Sequence, residues 1–181
     1  TISIHEAGRW PGTGALDDRR EGRARNAPVP RGIVDPEYDL LIAEGVVPVL
    51  ARLKPEAVVV TCGADPLLGD PLSSMRLSNG AVWRAVTEVI ARAPRAVVLG
   101  GGGYNPWTLA RCWAGLWGVL AGFPMPETLP EVSRARLAAL DCDLVEEEDR
   151  DPAWTTTLVD LPSKGAIRDE IRAIAGAIRA R

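Results

Sequence analysis

The chain has 181 residues, is 46% hydrophobic with six tryptophans, and carries a net charge of −3. That length suits one domain with a real core, and the small, interspersed charge offers no field for nucleic acid or an anionic membrane. Every apolar run is broken by charge, Gly or Pro well short of a membrane span.

The elements follow in order. TISIH (residues 1–5) reads as a strand already under way, so the sequence looks entered part-way, and WPGTG (10–14) reads as a turn. DDRREGRAR (17–25) alternates charge signs and reads as a solvated loop. Asp35 then Pro36 reads as an N-cap and first helical position, opening a helix with Tyr38, Leu41, Ile42, Val46, Val49, Leu50 and Leu53 at helical spacing. Gly45 and Pro48 should weaken or kink it. AVVVTCGAD (57–65) is apolar without alternation, the pattern of a parallel strand buried on both faces. Ser78 caps a helix with Val82, Trp83, Val86, Val89 and Ile90 on one stripe, and AVVLGGGGY (96–104) holds a second strand. Asn105 and Pro106 open a further helix reaching about Gly118. GFPMPETLP reads as a connector, EVSRARLAAL as helix, and VEEEDRDP (145–152) as an acidic solvated loop. From Ala166 the spacing of Ile167, Ile171, Ile174 and Ile178 predicts an amphipathic helix docked on the core. No internal repeat is visible.

The three cysteines, Cys62, Cys112 and Cys142, are far apart with no CxxC pair, and His5 is the single histidine. This argues against a disulfide framework or structural zinc knot and makes a reducing cytoplasm the expected compartment.

The order strand, helix, strand, helix over 57–118 predicts an α/β fold with a parallel sheet and flanking helices. Parallel strands joined by a right-handed crossover end on the same sheet edge, where open α/β sheets bind ligands. That edge brings CGADPLLGDP and GGGGYNPW together, and with them Asp65 and Tyr104, a carboxylate and a phenol suited to chemistry on a small polar group. Four consecutive glycines permit positive φ and close approach. Phosphate binding is one use and a tight strand-to-helix turn another. The dinucleotide pattern G-x-G-x-x-G fails, since the third glycine would fall on Asn105, and no Walker Gly-Lys-Ser/Thr is present.

GADPLLGDPL, LGGGGYNPWTLARCW and the WPGTG turn together resemble the zinc-dependent histone deacetylase superfamily, including acetoin-utilisation-type and acetylpolyamine-type members. The resemblance runs from Ser3 to about Trp113. It implies the arginase/deacetylase-like fold, incomplete here. Residues 1–122 are then the family-like core of a single domain, and 123–181 a mainly helical C-terminal extension. By position, Tyr104 is the O–H donor to the amide carbonyl, a role a neutral phenol fills. Asp65 is a zinc ligand, and a carboxylate is an ordinary partner for Zn²⁺. Gly102 and Gly103 bring the tyrosine close without filling the pocket. Trp10 and Leu72 line the acyl tunnel, Trp10 where the family usually has phenylalanine, which would narrow or reshape it. Ser3 and Ile4 match residues that in some members help hold a monovalent cation such as K⁺. Asp70 and Arg111 read as structural, through capping and buried pairing, and His5 reads as structural and not as a ligand.

The family's other zinc ligands and its histidine pair match nothing in this sequence. The expected reading is the C-terminal half of a deacetylase acting on acetyl-lysine or acetylpolyamine, inactive by itself and partnered by the N-terminal half of the same domain. Alone it should expose strand edge and apolar surface and self-associate. The alternatives are a non-catalytic deacetylase-like binding module and a nucleotide-binding α/β domain.

Overall fold

The computed structural model describes residues 1–180. Strand β1 (Ile2–Glu6) pairs in parallel with β2 (Arg25–Val29), from Ile2 opposite Arg25 to Glu6 opposite Val29. Sequence reading found no strand at β2, because its arginine and Pro28 are poor strand formers. Pro28 is tolerated in this two-stranded ribbon, since a proline removes only one ladder bond.

Helix α1 (Asp35–Leu40) runs into a π-helical segment (Leu41–Val46) and then α2 (Val47–Leu53). The expected weakness takes this form. Pro48 lacks an N–H and its ring crowds the carbonyl one turn back, and the coil widens until the Val47 N–H reaches back five residues to the Ile42 carbonyl. Asp35 is not the cap: Val34 is, and Asp35 occupies the first turn. The Glu37 carboxylate accepts the Val34 N–H at 3.3 Å instead. That frees the buried Asp35 to accept from the Ser78 N–H (2.8 Å) and Ser163 Oγ (2.8 Å).

Strand β3 (Val58–Cys62), helix α3 (Asn79–Ile90) and strand β4 (Ala96–Gly100) form the expected crossover unit, and β3 and β4 pair in parallel. Ser78 caps α3, its Oγ accepting from the Ala81 N–H at 3.2 Å. Asn105 caps α4 (Pro106–Ala121) by accepting from the N–H groups of Trp107 and Thr108 at 3.1 and 3.2 Å, each such cap contributing about 1 kcal/mol. Burial of β3 and β4 on both faces does not hold. Val60 and Val98 pack against the core, while Val59 is 67% exposed and Val97 and Leu99 about half exposed. The crossover helix covers one face of this pair, and no described residue covers the other.

Beyond the connector come α5 (Glu131–Ala138), a 3-10 turn (Glu147–Asp149), the short α6 (Ala153–Thr156) and α7 (Asp169–Arg179). Much of 123–168 is thus irregular, and α7 starts three residues later than the isoleucine spacing predicts. Its N-terminus is set by Arg168, which pairs with buried Glu37 at 2.6 Å. The C-terminal segment is tied into one core. Ile171, Ile174 and Ile178 join Val29, Leu41, Val49, Trp83 and Leu116. Arg111, 1% exposed, is paired with Asp160 at 2.6 Å and donates through Nε to the Thr157 carbonyl. No helix among the described residues is long and apolar enough to cross a membrane.

Candidate active site

Because β3 and β4 are in parallel register up to Cys62 opposite Gly100, their loops leave the sheet side by side. Three bonds stitch them together. The Ala64 N–H donates to the Gly102 carbonyl (2.7 Å), the Tyr104 N–H to Asp70 Oδ2 (2.8 Å), and Asn105 Nδ2 to the Gly69 carbonyl (2.9 Å).

The glycines acquire a physical reason here. A Cβ on Gly102 would sit 2.6 Å from Asp65 Oδ1. Gly103 has φ +141°, outside the range of ordinary side chains, and a Cβ there would also meet Ala64 at 2.9 Å. The run makes room for a neighbouring carboxylate. A carboxylate over the glycines repels phosphate, which removes the electrostatic basis of a nucleotide cradle.

Burial pushes the Asp65 carboxyl above its usual range, and its own backbone N–H only partly opposes this. Its carboxylate makes none of the ion pairs found among the described residues. Burial likewise raises Asp70, opposed by the N–H groups of Tyr104 and Leu72 and reinforced by the charge of Asp65. Burial, with Asp65 beside it, pushes the Cys62 thiol up to about 11, so Cys62 is a packed thiol and not a nucleophile.

Asp65 and Tyr104 line one cavity of about 600 Å³. Trp10, Leu72, Ser3 and Ile4 line the same cavity, and Gly102 and Gly103 lie behind the wall they allow. Trp10 does not narrow the space from within: it is 94% exposed, at the mouth. Tyr104 is 46% exposed, its phenol accessible from the cavity. The Ser3 hydroxyl lies 2.9 Å from His5 Nδ1, and His5 Nε2 lies 3.1 Å from the Gly14 carbonyl. A carbonyl only accepts, so Nε2 carries a proton and donates to Gly14. His5 thereby ties the Trp10–Gly14 turn to β1.

Sequence reading missed Glu6 and Arg9, which also line the cavity. Glu6 is buried and accepts from the Ser74 N–H at 2.8 Å and from Arg9 Nε at 3.1 Å. Burial raises its carboxyl, but the bonds from Ser74 and Arg9 outweigh this and hold it below the usual range. Only the one acidic residue in an otherwise uncharged strand hinted at it. A larger cavity, about 760 Å³, lies between the π-helical segment and α3, lined by Ile42, Val47, Trp83 and the exposed pair Arg84–Asp39. It lacks the paired carboxylate and phenol.

Among the described residues no three His, Cys, Asp or Glu side chains lie close enough to hold a metal ion. Zinc in a catalytic site takes about three protein ligands. Asp65 above its glycine floor therefore fits one ligand position and not a whole site.

A profile of the histone deacetylase domain matches residues 1–120. Histone deacetylase 8 of Danio rerio is 34% identical over 137 residues, covering 72% of this chain and 36% of its own length. Histone deacetylase 19 of Arabidopsis thaliana is 36% identical over 136 residues, covering 72% of this chain and 27% of its own length. The crystal structure of an HDAC homolog from Aquifex aeolicus superposes with a TM-score of 0.87 at 30% identity, over 98% of this chain and 50% of that one. A structure of an HDAC homolog complexed with SAHA matches with the same figures. The chain thus spans half or less of the length of these relatives.

Proposed function

This chain belongs to the histone deacetylase family, and from that premise we propose that it supplies one half of a zinc-dependent deacetylase site acting on acetyl-lysine or acetylpolyamine amides. The observation that carries the reading is that Asp65 and Tyr104, from two different loops, line one cavity. In this reading Asp65 contributes one ligand to a Zn²⁺ ion. When bound, that ion supplies Lewis-acid polarisation and a more acidic bound water. The Tyr104 O–H donates to the amide oxygen and stabilises the negative charge that develops on it. Leu72 packs against the acyl group, and Trp10 meets the substrate at the cavity mouth. Nothing in the cavity distinguishes lysine from polyamine. A second, monovalent cation such as K⁺ at Ser3 and Ile4 rests on the family resemblance alone.

The remaining zinc ligands and the water-activating base come, in this reading, from the other half of the domain that the relatives possess. The bare outer edge of β4 and the exposed Val59, Val97 and Leu99 support a partner there, either that half or, in its absence, a second copy. The free Cys62, Cys112 and Cys142 suit a reducing compartment, and we place the protein in the cytoplasm.

The test is turnover of acetyl-lysine and acetylpolyamine reporters by the chain alone and by a protein carrying both halves, with zinc content measured on each. Turnover only by the two-half protein, lost by about 10²–10³-fold in Tyr104→Phe at unchanged zinc content, is the expected result. Stoichiometric zinc and hydrolysis by the chain alone would overturn it. Absent turnover in both, with acetylated ligands still bound, would establish the non-catalytic binding module, the reading that the single histidine favours.

A further inference from the structure

Asp70 is 6% exposed and is not among the residues lining the cavity. Its two oxygens are nevertheless committed to two residues that line it. Oδ2 accepts from the Tyr104 N–H at 2.8 Å, and Oδ1 accepts from the Leu72 N–H at 2.9 Å. One buried carboxylate thus spans the loop after β3 and the loop after β4, holding the residue that carries the phenol against the residue that forms the apolar wall. Bonds from backbone N–H groups to a carboxylate are charge-assisted and stronger than neutral ones.

The surroundings keep this clamp from turning. Asn105, next to Tyr104, donates through Nδ2 to the carbonyl of Gly69, next to Asp70. The Trp154 ring is pressed against Gly69, where a Cβ would come within 2.4 Å of it, and Trp154 stacks on Trp107 of α4 at 6.2 Å. Tyr104 is nearly half exposed. Its direction is therefore set through its backbone, the part Asp70 holds, more than by packing of the ring.

We propose that Asp70 is a positioning residue for the deacetylation step, fixing the Tyr104 phenol relative to the Leu72 wall. This rests on the reading of Tyr104 as the donor to the amide oxygen. A misplacement of about 1 Å in a reacting group costs on the order of 10²-fold in rate. A group acting only through orientation lowers kcat while leaving KM near its original value.

Two measurements test it. In the chain as it exists, Asp70→Ala should speed hydrogen exchange of the Tyr104 N–H by about tenfold or more, with the amides in the middle of α4 unchanged. In the two-half protein, Asp70→Ala should lower kcat per folded molecule by about 10²-fold with KM held. Asp70→Asn, which keeps one accepting oxygen and the side-chain volume, should fall between Asp70→Ala and the wild type and covers the case in which Asp70→Ala does not fold. Unchanged Tyr104 exchange, or a kcat in both variants equal to the wild type, overturns the proposal. A wild type without turnover whose Tyr104 exchange still depends on Asp70 overturns the deacetylase reading and leaves the clamp standing.

Discussion

Two of the regions that bury carboxylates in this molecule treat them in opposite ways. At the ends of β3 and β4, Asp65 and Asp70 lie beside each other without a basic partner among the described residues, and burial pushes both upward. Where the C-terminal segment crosses α1 and α3, the carboxylates are satisfied. Burial alone would raise Glu37, but bonds from Arg168 and the Val34 N–H outweigh it and hold the carboxyl low. Asp35 takes bonds from Ser78 and Ser163, and Asp160 is paired with Arg111. The fold completes such networks across its C-terminal segment yet gives Asp65 no ion pair among the described residues. The satisfied set holds the chain together, and Asp65, a carboxyl raised by burial with no cation beside it among the described residues, is the candidate for chemistry.

The comparison can be broken most forcefully at Arg111. Arg111→Ala leaves Asp160 without its cation and the Thr157 carbonyl without its donor. It should cost about 3–5 kcal/mol, read as a drop in the urea midpoint. A loss below about 1 kcal/mol would mean that the pair is not structural.

A smaller loss, about 1–3 kcal/mol, is expected for Arg168→Ala, because buried Glu37 loses its guanidinium donors and keeps only the backbone N–H groups of Val34 and residue 168, while Arg168 is itself partly exposed. The pH dependence fixes the sign. Glu37 titrates below its usual value in the folded state. Its contribution is therefore fully present above the ordinary carboxylate range and is lost as pH falls through the lowered folded value. Arg168→Ala should flatten that acid limb in thermal unfolding followed across pH.

Gly102→Ala sharpens the other side. Its Cβ would press into Asp65 Oδ1, so the carboxylate must move. Zinc affinity of the two-half protein should fall in titration with a chelator competitor, at a stability cost of about 1–3 kcal/mol. The smallest effect carries the opposite sign. Asp65 titrates above its usual value when folded, so its stabilising contribution belongs to pH below the unfolded value and is lost as pH rises through the folded one. In the metal-free chain, Asp65→Asn should therefore raise Tm near neutrality and leave it unraised in acid. A lower Tm at neutral pH would show that Asp65 is a structural acceptor after all.

Much of this was legible in the sequence where the cause is local. Ser78 and Asn105 cap the helices they precede, and Pro106 opens α4, because these residue types satisfy a helix start by themselves. The glycine run marked the sheet edge, and a parallel crossover puts two strand ends on one side whatever their separation. That alone brought Asp65 and Tyr104 together. The limits are also local in origin. Asp35 was read as a cap because its neighbour is proline, yet its carboxylate serves Ser78 and Ser163, and Val34 takes the cap position. Strand β2 was invisible because Arg25 and Pro28 break the expected pattern. Glu6 looked like any strand residue, since only folding brings Ser74 to it.

By itself the sequence determined the secondary structure around the two loops, the family and the meeting of Asp65 and Tyr104 at one sheet edge, because caps, glycines and a parallel crossover act over a few residues or by topology alone. Only the tertiary structure decided which carboxylates are quenched and which are left bare. The partners that quench Glu37 and Asp160 come from chain segments far away in sequence, Arg168 and Arg111, and Asp65 is given none among the described residues. Charge satisfaction depends on distances that a linear pattern does not contain, and here it separates the residues that hold the fold from those held ready within it.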